Sequence, residues 1–329
     1  MIYIVVLNWK GASDTIFCYD SIMKLEAVNF SYNLIVCDND SPDGSYDVIK
    51  EHISRTCQQH GRTLILLSQD DIGLNCKEHL GVNKVFLIKN SSNRGYAAGN
   101  NVGINLAMQD PDCRYVWILN NDTEVTPSSL HFLYDYCQQN KQVGICGSRL
   151  VYFHDRTKMQ GLGGVFNPWL GCTHHYMSSY PSNMVVDNNA VQSCIDYVIG
   201  ASLFIRRELI DDIGLLCEDY FLYFEELDYS SRAKSKGYIN GICSESIVYH
   251  KEGASTDKGR SPLADFYSVR NRFVYIRKYF TLQYVICAIT IPLIFLNRLR
   301  RFEIIKAKNI IKILRHVFSS SLAALKYHE

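Results

Sequence analysis

Short apolar runs broken abruptly by polar and turn-forming residues recur along the chain, first at Ile2–Leu7 and then within 32–37, 63–67, 85–88 and 115–119. Continuous apolar runs of this length suit inner strands of a sheet covered on both faces. The intervals between several of them carry helical patterns, over residues 14 to 27, 46 to 57 and from Pro127 through Tyr136. Strands alternating with helices predict an α/β fold with a mostly parallel sheet. Later strands are expected over Val143–Phe153, Tyr238–Ile242 and Ser246–His250, with irregular structure over 161–189. A helix begins near Glu225 and stops at Gly237.

Ligands of open parallel sheets bind outside the carboxyl ends of the strands. Three strands end there in polar clusters: Asn8-Trp9, Asp38-Asn39-Asp40 and Asn120-Asn121-Asp122. Asp122, beside two carboxamides, has the oxygen chemistry to hold a hard divalent cation with diphosphate oxygens completing the shell. An Asx turn closing the strand is the other reading of the same residues. Asp38 is suited to accept hydrogen bonds from a base or ribose, or to cap the turn before the next helix. In Asn93-Arg-Gly-Tyr-Ala-Ala-Gly-Asn-Asn101, the glycines would let a nucleotide approach the backbone and Arg94 would contact phosphate, unless the segment is an ordinary tight turn. The absence of GxGxxG and GxxxxGK[ST] patterns disfavours a dinucleotide oxidoreductase or a P-loop nucleotidase.

The helix at Glu225 displays Glu225, Glu226 and Asp228 near its positive amino terminus, with Arg232 one turn beyond Asp228. That pattern also describes a favourable acidic first turn with a surface ion pair. His250 closes a strand and is placed either to join Asp122 at a metal or to serve as a structural histidine; His174 and His175 receive no role.

Charge divides the chain. Residues 1 to 257 carry 20 Lys or Arg against 30 Asp or Glu, and residues 258 to 329 carry 14 against 3. The basic tail holds an apolar run, Leu282–Leu296, of 15 residues, short for a membrane span and suited to lying in an interface. After it, Ile304, Ile311, Leu314, Phe318, Leu322 and Leu325 form a helical stripe with Lys308, Lys312 and Arg315 on other faces. Such an element would attract an anionic membrane surface, or pack as a lid or homodimer contact; no nucleic-acid motif accompanies the charge. The 12 cysteines form no CxxC pair and no secretion signal is evident, which favours reduced, buried thiols in a cytosolic compartment.

Taken in order, the motifs Leu7-Asn-Trp9, Val36-Cys-Asp-Asn-Asp-Ser-Pro-Asp-Gly-Ser45, Asn93–Asn101, Leu119-Asn-Asn-Asp122, Gly200-Ala-Ser202, Tyr223-Phe-Glu-Glu-Leu-Asp228 and Val248-Tyr-His250 resemble the family 2 glycosyltransferases, in particular bacterial rhamnosyltransferase-like members of O-antigen and capsule synthesis. The resemblance covers residues 2 to about 275. It implies a GT-A fold and a single Rossmann-like nucleotide-diphospho-sugar transferase domain over 1–257 with nucleotide-binding (1–125) and acceptor-binding (126–257) halves, to which the charge and apolar pattern of the tail adds a basic helical membrane-association region over 258–329. It further implies that Asn8, Asp38, Asn39, Asn93, Arg94, Gly95, Asn100, Asn120 and Asp122 line the donor site. Asp122 and His250 would hold Mg²⁺ or Mn²⁺, and Glu226 would be the catalytic base, with Glu225 and Asp228 as further catalytic candidates. Asn120 stands where the family commonly has Asp, and Glu226 where Asp is common. The implied reaction is inverting transfer from dTDP-rhamnose, in preference to UDP-glucose, UDP-galactose or a UDP-N-acetylhexosamine, to an undecaprenyl-diphosphate-linked saccharide at the cytoplasmic face of the inner membrane. A catalytically inactive carbohydrate-binding or scaffold protein is the alternative.

Overall fold

A computed structural model describes residues 1–26, 29–73, 76–251 and 261–327. The first half runs β1 (Ile2–Asn8), α1 (Ala12–Ile22), β2 (Tyr32–Asp38), α2 (Ser45–Thr56), β3 (Thr63–Ser68), α3 (Gln69–Gly73), β4 (Lys84–Lys89), α4 (Tyr96–Met108), β5 (Tyr115–Asn120), β6 (Thr123–Val125) and α5 (Ser129–Gln139). There follow β7 (Val143–Tyr152), β8 (Met159–Gly161), β9 (Gly164–Asn167), β10 (Cys172–His175), α6 (Asn188–Cys194), β11 (Ser202–Arg206), α7 (Arg207–Ile213), α8 (Glu225–Ser235) and β12 (Ile239–His250). Four helices close the chain: α9 (Pro262–Tyr279), α10 (Thr281–Ile289), α11 (Ile291–Arg300) and α12 (Ile304–His316).

The central sheet has the order β3-β4-β2-β1-β5-β11-β7-β12-β6, with β8 on β7. From β3 to β5 every pairing is parallel. Beyond β5 the sheet is mixed, because β11 runs antiparallel to both β5 and β7. Alternate residues of the same strands feed opposite layers. Ile2, Ile4, Val6, Trp117 and Leu119 pack with α1, α2 and α5, while Tyr3, Val5, Val116 and Ile118 pack with α4 and α7. This two-sided burial is why the strands read as unbroken apolar runs.

The first layer continues into the tail, where Phe273, Ile276, Tyr284, Ile291, Ile310 and Ile313 join the same apolar cluster as Phe166 and Phe224. The expected division at 257/258 lies outside the described residues.

Several expectations shift. The first helix spans Ala12–Ile22 rather than 14 to 27, and residues 27 and 28 lie outside the described residues. The 161–189 stretch contains the β9–β10 hairpin and the start of α6, since Gly163 and Gly171 take positive φ values, 85° and 61°, that allow the chain to reverse. The two last strands are one, β12, interrupted by a register shift between Cys243 and Ile247. The apolar tail segment is longer than its run of apolar letters: α10 and α11, joined at Thr290, together span the 20 residues Thr281–Arg300, whose most apolar stretch has a mean hydropathy of 1.6 and is 22% buried. By length and composition it is sufficient to cross a membrane.

Candidate active site

The parallel strands deliver their polar ends in line. Asn8 lies opposite Asp38 in the β1–β2 pair, Leu7 opposite Asn120 in β1–β5, and Asp38 opposite Lys89 in β2–β4. Strands β2 and β5 flank β1 on opposite sides, so this edge is where the chain reverses its direction of travel across the sheet. Such a switch point opens a crevice.

Asn8, fully buried, ties the crevice floor together. Its Nδ2 donates to Asp38 Oδ2 at 2.6 Å and Ser41 Oγ at 3.2 Å, while its Oδ1 accepts from Thr15 Oγ1 at 2.8 Å and Gly11 N at 3.2 Å. The second oxygen of Asp38 accepts from Ser41 N at 2.9 Å, so this carboxylate holds the 38–41 turn. Asn39 extends the ladder, donating to Asn93 Oδ1 at 2.8 Å and Gly95 O at 3.3 Å and accepting from Asn90 Nδ2 at 3.2 Å. Neutral carboxamides serve well here because each can donate and accept at once. Asn90 Oδ1 and Asn100 Oδ1 are left buried without a partner, two acceptors available to an incoming donor group.

The glycines of this segment act mostly inside the protein. A side chain at Gly99 or Gly103 would meet Leu7 at 2.5 Å or Val5 at 2.7 Å, so both let α4 lie close on β1. Gly95, at φ 94°, sits where any Cβ would reach 2.2 Å from Phe221 O. Arg94, expected at phosphate, is exposed and pairs with Glu218 at 2.5 Å.

Across β1, Asp122 occupies the tight turn between β5 and β6. Its Oδ1 stands 3.1 Å from His250 Nε2. The other ring nitrogen of His250 donates to Gln160 Oε1 at 2.9 Å. With the proton on Nδ1 alone, Nε2 turns a lone pair toward the Asp122 carboxylate and the two could share a cation; with Nε2 also protonated, the imidazolium would pair with Asp122 directly. Asn120 Oδ1, buried and unpartnered, is a further oxygen at this strand end, and Asn120 Nδ2 lies 3.4 Å from His250 Nε2. This oxygen-rich donor set with one imidazole fits Mg²⁺ or Mn²⁺. Among the described residues no group of three or more His, Cys, Asp or Glu side chains is arranged to hold an ion by itself. Ligand oxygens would therefore have to complete the shell.

The acids of α8 form the opposite wall. Two consecutive non-glycine residues, Tyr223 at φ 70° and Phe224 at φ 75°, precede the helix in the left-handed region. Each costs about 1–2 kcal/mol, and such strain persists only where the surroundings enforce it. Asn271 of α9 donates to both adjoining carbonyls, Leu222 O at 2.8 Å and Tyr223 O at 2.9 Å. The turn presents Glu225, which is buried, and Glu226, which retains partial exposure. Each has an Oε2 without a partner. Burial, then the neighbouring Glu226 charge, holds the Glu225 carboxyl well above the usual carboxylate range. Burial pushes Glu226 up to about 7, against backbone N–H groups of the helix start that favour its anion.

Asp228, in contrast, is enclosed and bonded to Arg232 at 2.9 Å and Lys278 at 2.6 Å, which makes it a structural anion. Tyr96 joins the two walls. Its hydroxyl donates to Gly200 O at 2.9 Å. Burial raises its pKa, and Glu225, Glu226 and Asp122 raise it further by their charge, so all three acids lie within electrostatic reach of one phenol.

Sequence reasoning did not single out Tyr96, Gln160, Asn271 or Lys278. Tyr96 lay inside a quoted motif. Gln160, Asn271 and Lys278 carried no local signal, because their partners are 90, 48 to 49 and 50 residues away.

Residues 68–214 match the family model described as Glycosyl transferase family 2. The chain is 24% identical over 191 residues to the low-salt glycan biosynthesis hexosyltransferase Agl10 of Haloferax volcanii, a match spanning 58% of this chain and 59% of that protein. Among solved structures, GalNAc-T7 with UDP, GalNAc and Mn²⁺ aligns with a TM-score of 0.54 at 13% identity, over 82% of this chain and 47% of that one. S. aureus TarS 1–349 in complex with UDP aligns at 0.49 and 11% identity, over 83% and 64%. Over residues 68–214 the chain is thus similar to the family 2 glycosyltransferases, and its fold is a GT-A-like α/β fold with C-terminal helices.

Proposed function

We propose that the protein is an inverting glycosyltransferase that moves a sugar from a nucleotide-diphospho-sugar to a hydroxyl of a lipid-diphosphate-linked saccharide. The observation that carries this reading is a crevice with a partly exposed carboxyl, Glu226, left unpartnered at Oε2 on one wall and the Asp122–His250 pair, 3.1 Å apart, on the other. Glu226 removes the proton from the acceptor hydroxyl as that oxygen attacks the anomeric carbon. Its carboxyl is the reachable one of the pair, and a pKa near 7 matches a general base working at neutral pH. Glu225, more deeply buried and pushed toward its neutral form by burial and the neighbouring Glu226 charge, limits the charge the pair carries. Asp122 and His250 would hold Mg²⁺ or Mn²⁺, which would supply positive charge against the departing diphosphate. Asn8 and Asp38 set the 38–41 turn against the nucleotide, and Asn39, Asn93, Gly95 and Asn100 line its pocket.

The preferred donor is dTDP-rhamnose, before UDP-hexoses, and the acceptor an undecaprenyl-diphosphate-linked saccharide of a surface polysaccharide. The relative Agl10, a glycan-biosynthesis hexosyltransferase by name, supports a glycan-building role. Leu282, Ile289, Leu293, Phe302 and Phe318 are each at least 66% exposed, and Arg298, Arg300, Arg301 and Lys308 stand nearby in sequence. This combination supports peripheral attachment to an anionic membrane, on the cytoplasmic face where nucleotide sugars are available. The test is a panel of dTDP- and UDP-sugars with a synthetic lipid-diphosphate acceptor and Mn²⁺. Transfer from one donor, lost in Glu226→Gln, is expected; donor binding without transfer by any variant would favour a carbohydrate-binding protein.

A further inference from the structure

Asp228, in the first turn of α8, has no solvent exposure. Its Oδ1 accepts from Lys278 Nζ at 2.6 Å, Tyr279 OH at 2.9 Å and Tyr220 OH at 3.4 Å, and its Oδ2 from Arg232 Nε at 2.9 Å. A buried carboxylate holds its place only when paired and hydrogen-bonded. Two of these partners come from the last turn of α9. The same helix makes a second attachment seven residues earlier, two turns away and so on one face with Lys278. There Asn271 donates to Leu222 O and Tyr223 O, and Arg270 Nη1 to Asp219 O at 2.8 Å. Both attachments bracket the left-handed residues Tyr223 and Phe224.

We propose that α9 is the strut of the catalytic turn, with Asn271, Lys278 and Tyr279 as positioning residues that hold 219–228 in the conformation aiming Glu226. None of the three need touch substrate. The proposal rests on Glu226 being the base. It also makes the basic carboxyl-terminal region a working part of the site, since α10, the first exposed apolar helix, begins two residues after Tyr279. Arg232 keeps Asp228 paired when Lys278 is replaced, so Lys278→Met retains the fold.

The experiment compares full-length wild type with Lys278→Met, Lys278→Arg and Asn271→Ala by steady-state kinetics, donor-binding calorimetry and hydrogen–deuterium exchange. In Lys278→Met and Asn271→Ala, kcat is expected to fall about ten- to a hundredfold while donor KM and affinity stay within about twofold. Exchange over 219–228 is expected to quicken about tenfold with the central strands unchanged, and Lys278→Arg restores both readouts. Unchanged exchange over 219–228, an unchanged kcat, or a loss shared equally by donor affinity overturns the strut. Should wild type transfer no sugar from any donor, the base reading fails separately, and exchange still decides whether α9 holds the turn. If Asn271→Ala does not fold, Lys278→Met decides alone.

Discussion

The two walls of the crevice are built on opposite principles. At the ends of β1 and β2, Asn8, Asp38 and Asn39 satisfy one another almost completely, and the result is a floor that resists change. At the start of α8, Glu225 and Glu226 are held in a strained turn with unpartnered oxygens. Chemistry needs the second arrangement, since a carboxyl already satisfied by the protein has little reason to take a substrate proton. Binding needs the first, because a floor formed beforehand loses no ordering entropy when the ligand arrives.

The sharpest way to break this contrast is Glu226→Gln, which keeps the shape and removes the base. Transfer is expected to fall about 10²–10⁴-fold with donor affinity retained, as read by single-turnover assay and calorimetry; near-wild-type turnover would move the base to Glu225. Next comes Gln160→Leu. Losing the acceptor that orients His250 is expected to weaken Mn²⁺ binding about 10–100-fold, measurable by titration of the ion's magnetic resonance signal without turnover. Asp122→Ala should abolish that signal's change altogether.

On the scaffold wall, Asn8→Ala strips the buried Asp38 and Thr15 of a partner and should cost about 2–3 kcal/mol in urea unfolding. A change under 0.5 kcal/mol, about the size of an ordinary surface substitution, would mean the floor is softer than its bonding implies.

The pH dependence separates the walls again. Glu226 has its folded pKa raised from 4.5 to about 7, so the native state binds the extra proton between those values. Stability therefore falls as pH rises through that window, by about 1–2 kcal/mol after allowance for partial exposure. Glu226→Gln should remove the share of this slope that belongs to Glu226 and leave that of Glu225, while kcat/KM of wild type climbs through about pH 7 as the base loses its proton. The smallest effect is expected from Arg94→Ala, an exposed pair with Glu218 that contributes under about 1 kcal/mol to stability. A large rise in donor KM in that variant would restore the phosphate contact that its position in the sequence suggests.

Much of the architecture was legible in the residues. The apolar runs located β1 to β5; in β1, β2, β4 and β5 burial on both faces admits almost nothing but apolar side chains, whereas the edge strand β3 is largely exposed, and the abrupt polar residues after the inner strands marked the sheet edge where the crevice opens. The acidic start of α8 and its end at Gly237 were equally plain, since helix termini depend on a few neighbouring residues. What adjacent letters could not carry were the meetings of distant ones. Whether Asp228 is a base or a clamped structural anion depends on Lys278 and Tyr279 arriving from α9. Whether His250 faces Asp122 depends on β6 folding back against β12 and on Gln160 behind the ring. The glycines of α4 look like room for a ligand until Leu7 and Val5 are found against them. Local order follows from short-range sterics and hydrophobic period, which the sequence states directly. Burial, proton affinity and the identity of a polar partner are set by whatever the fold brings within a few ångströms, and only the tertiary structure decides that.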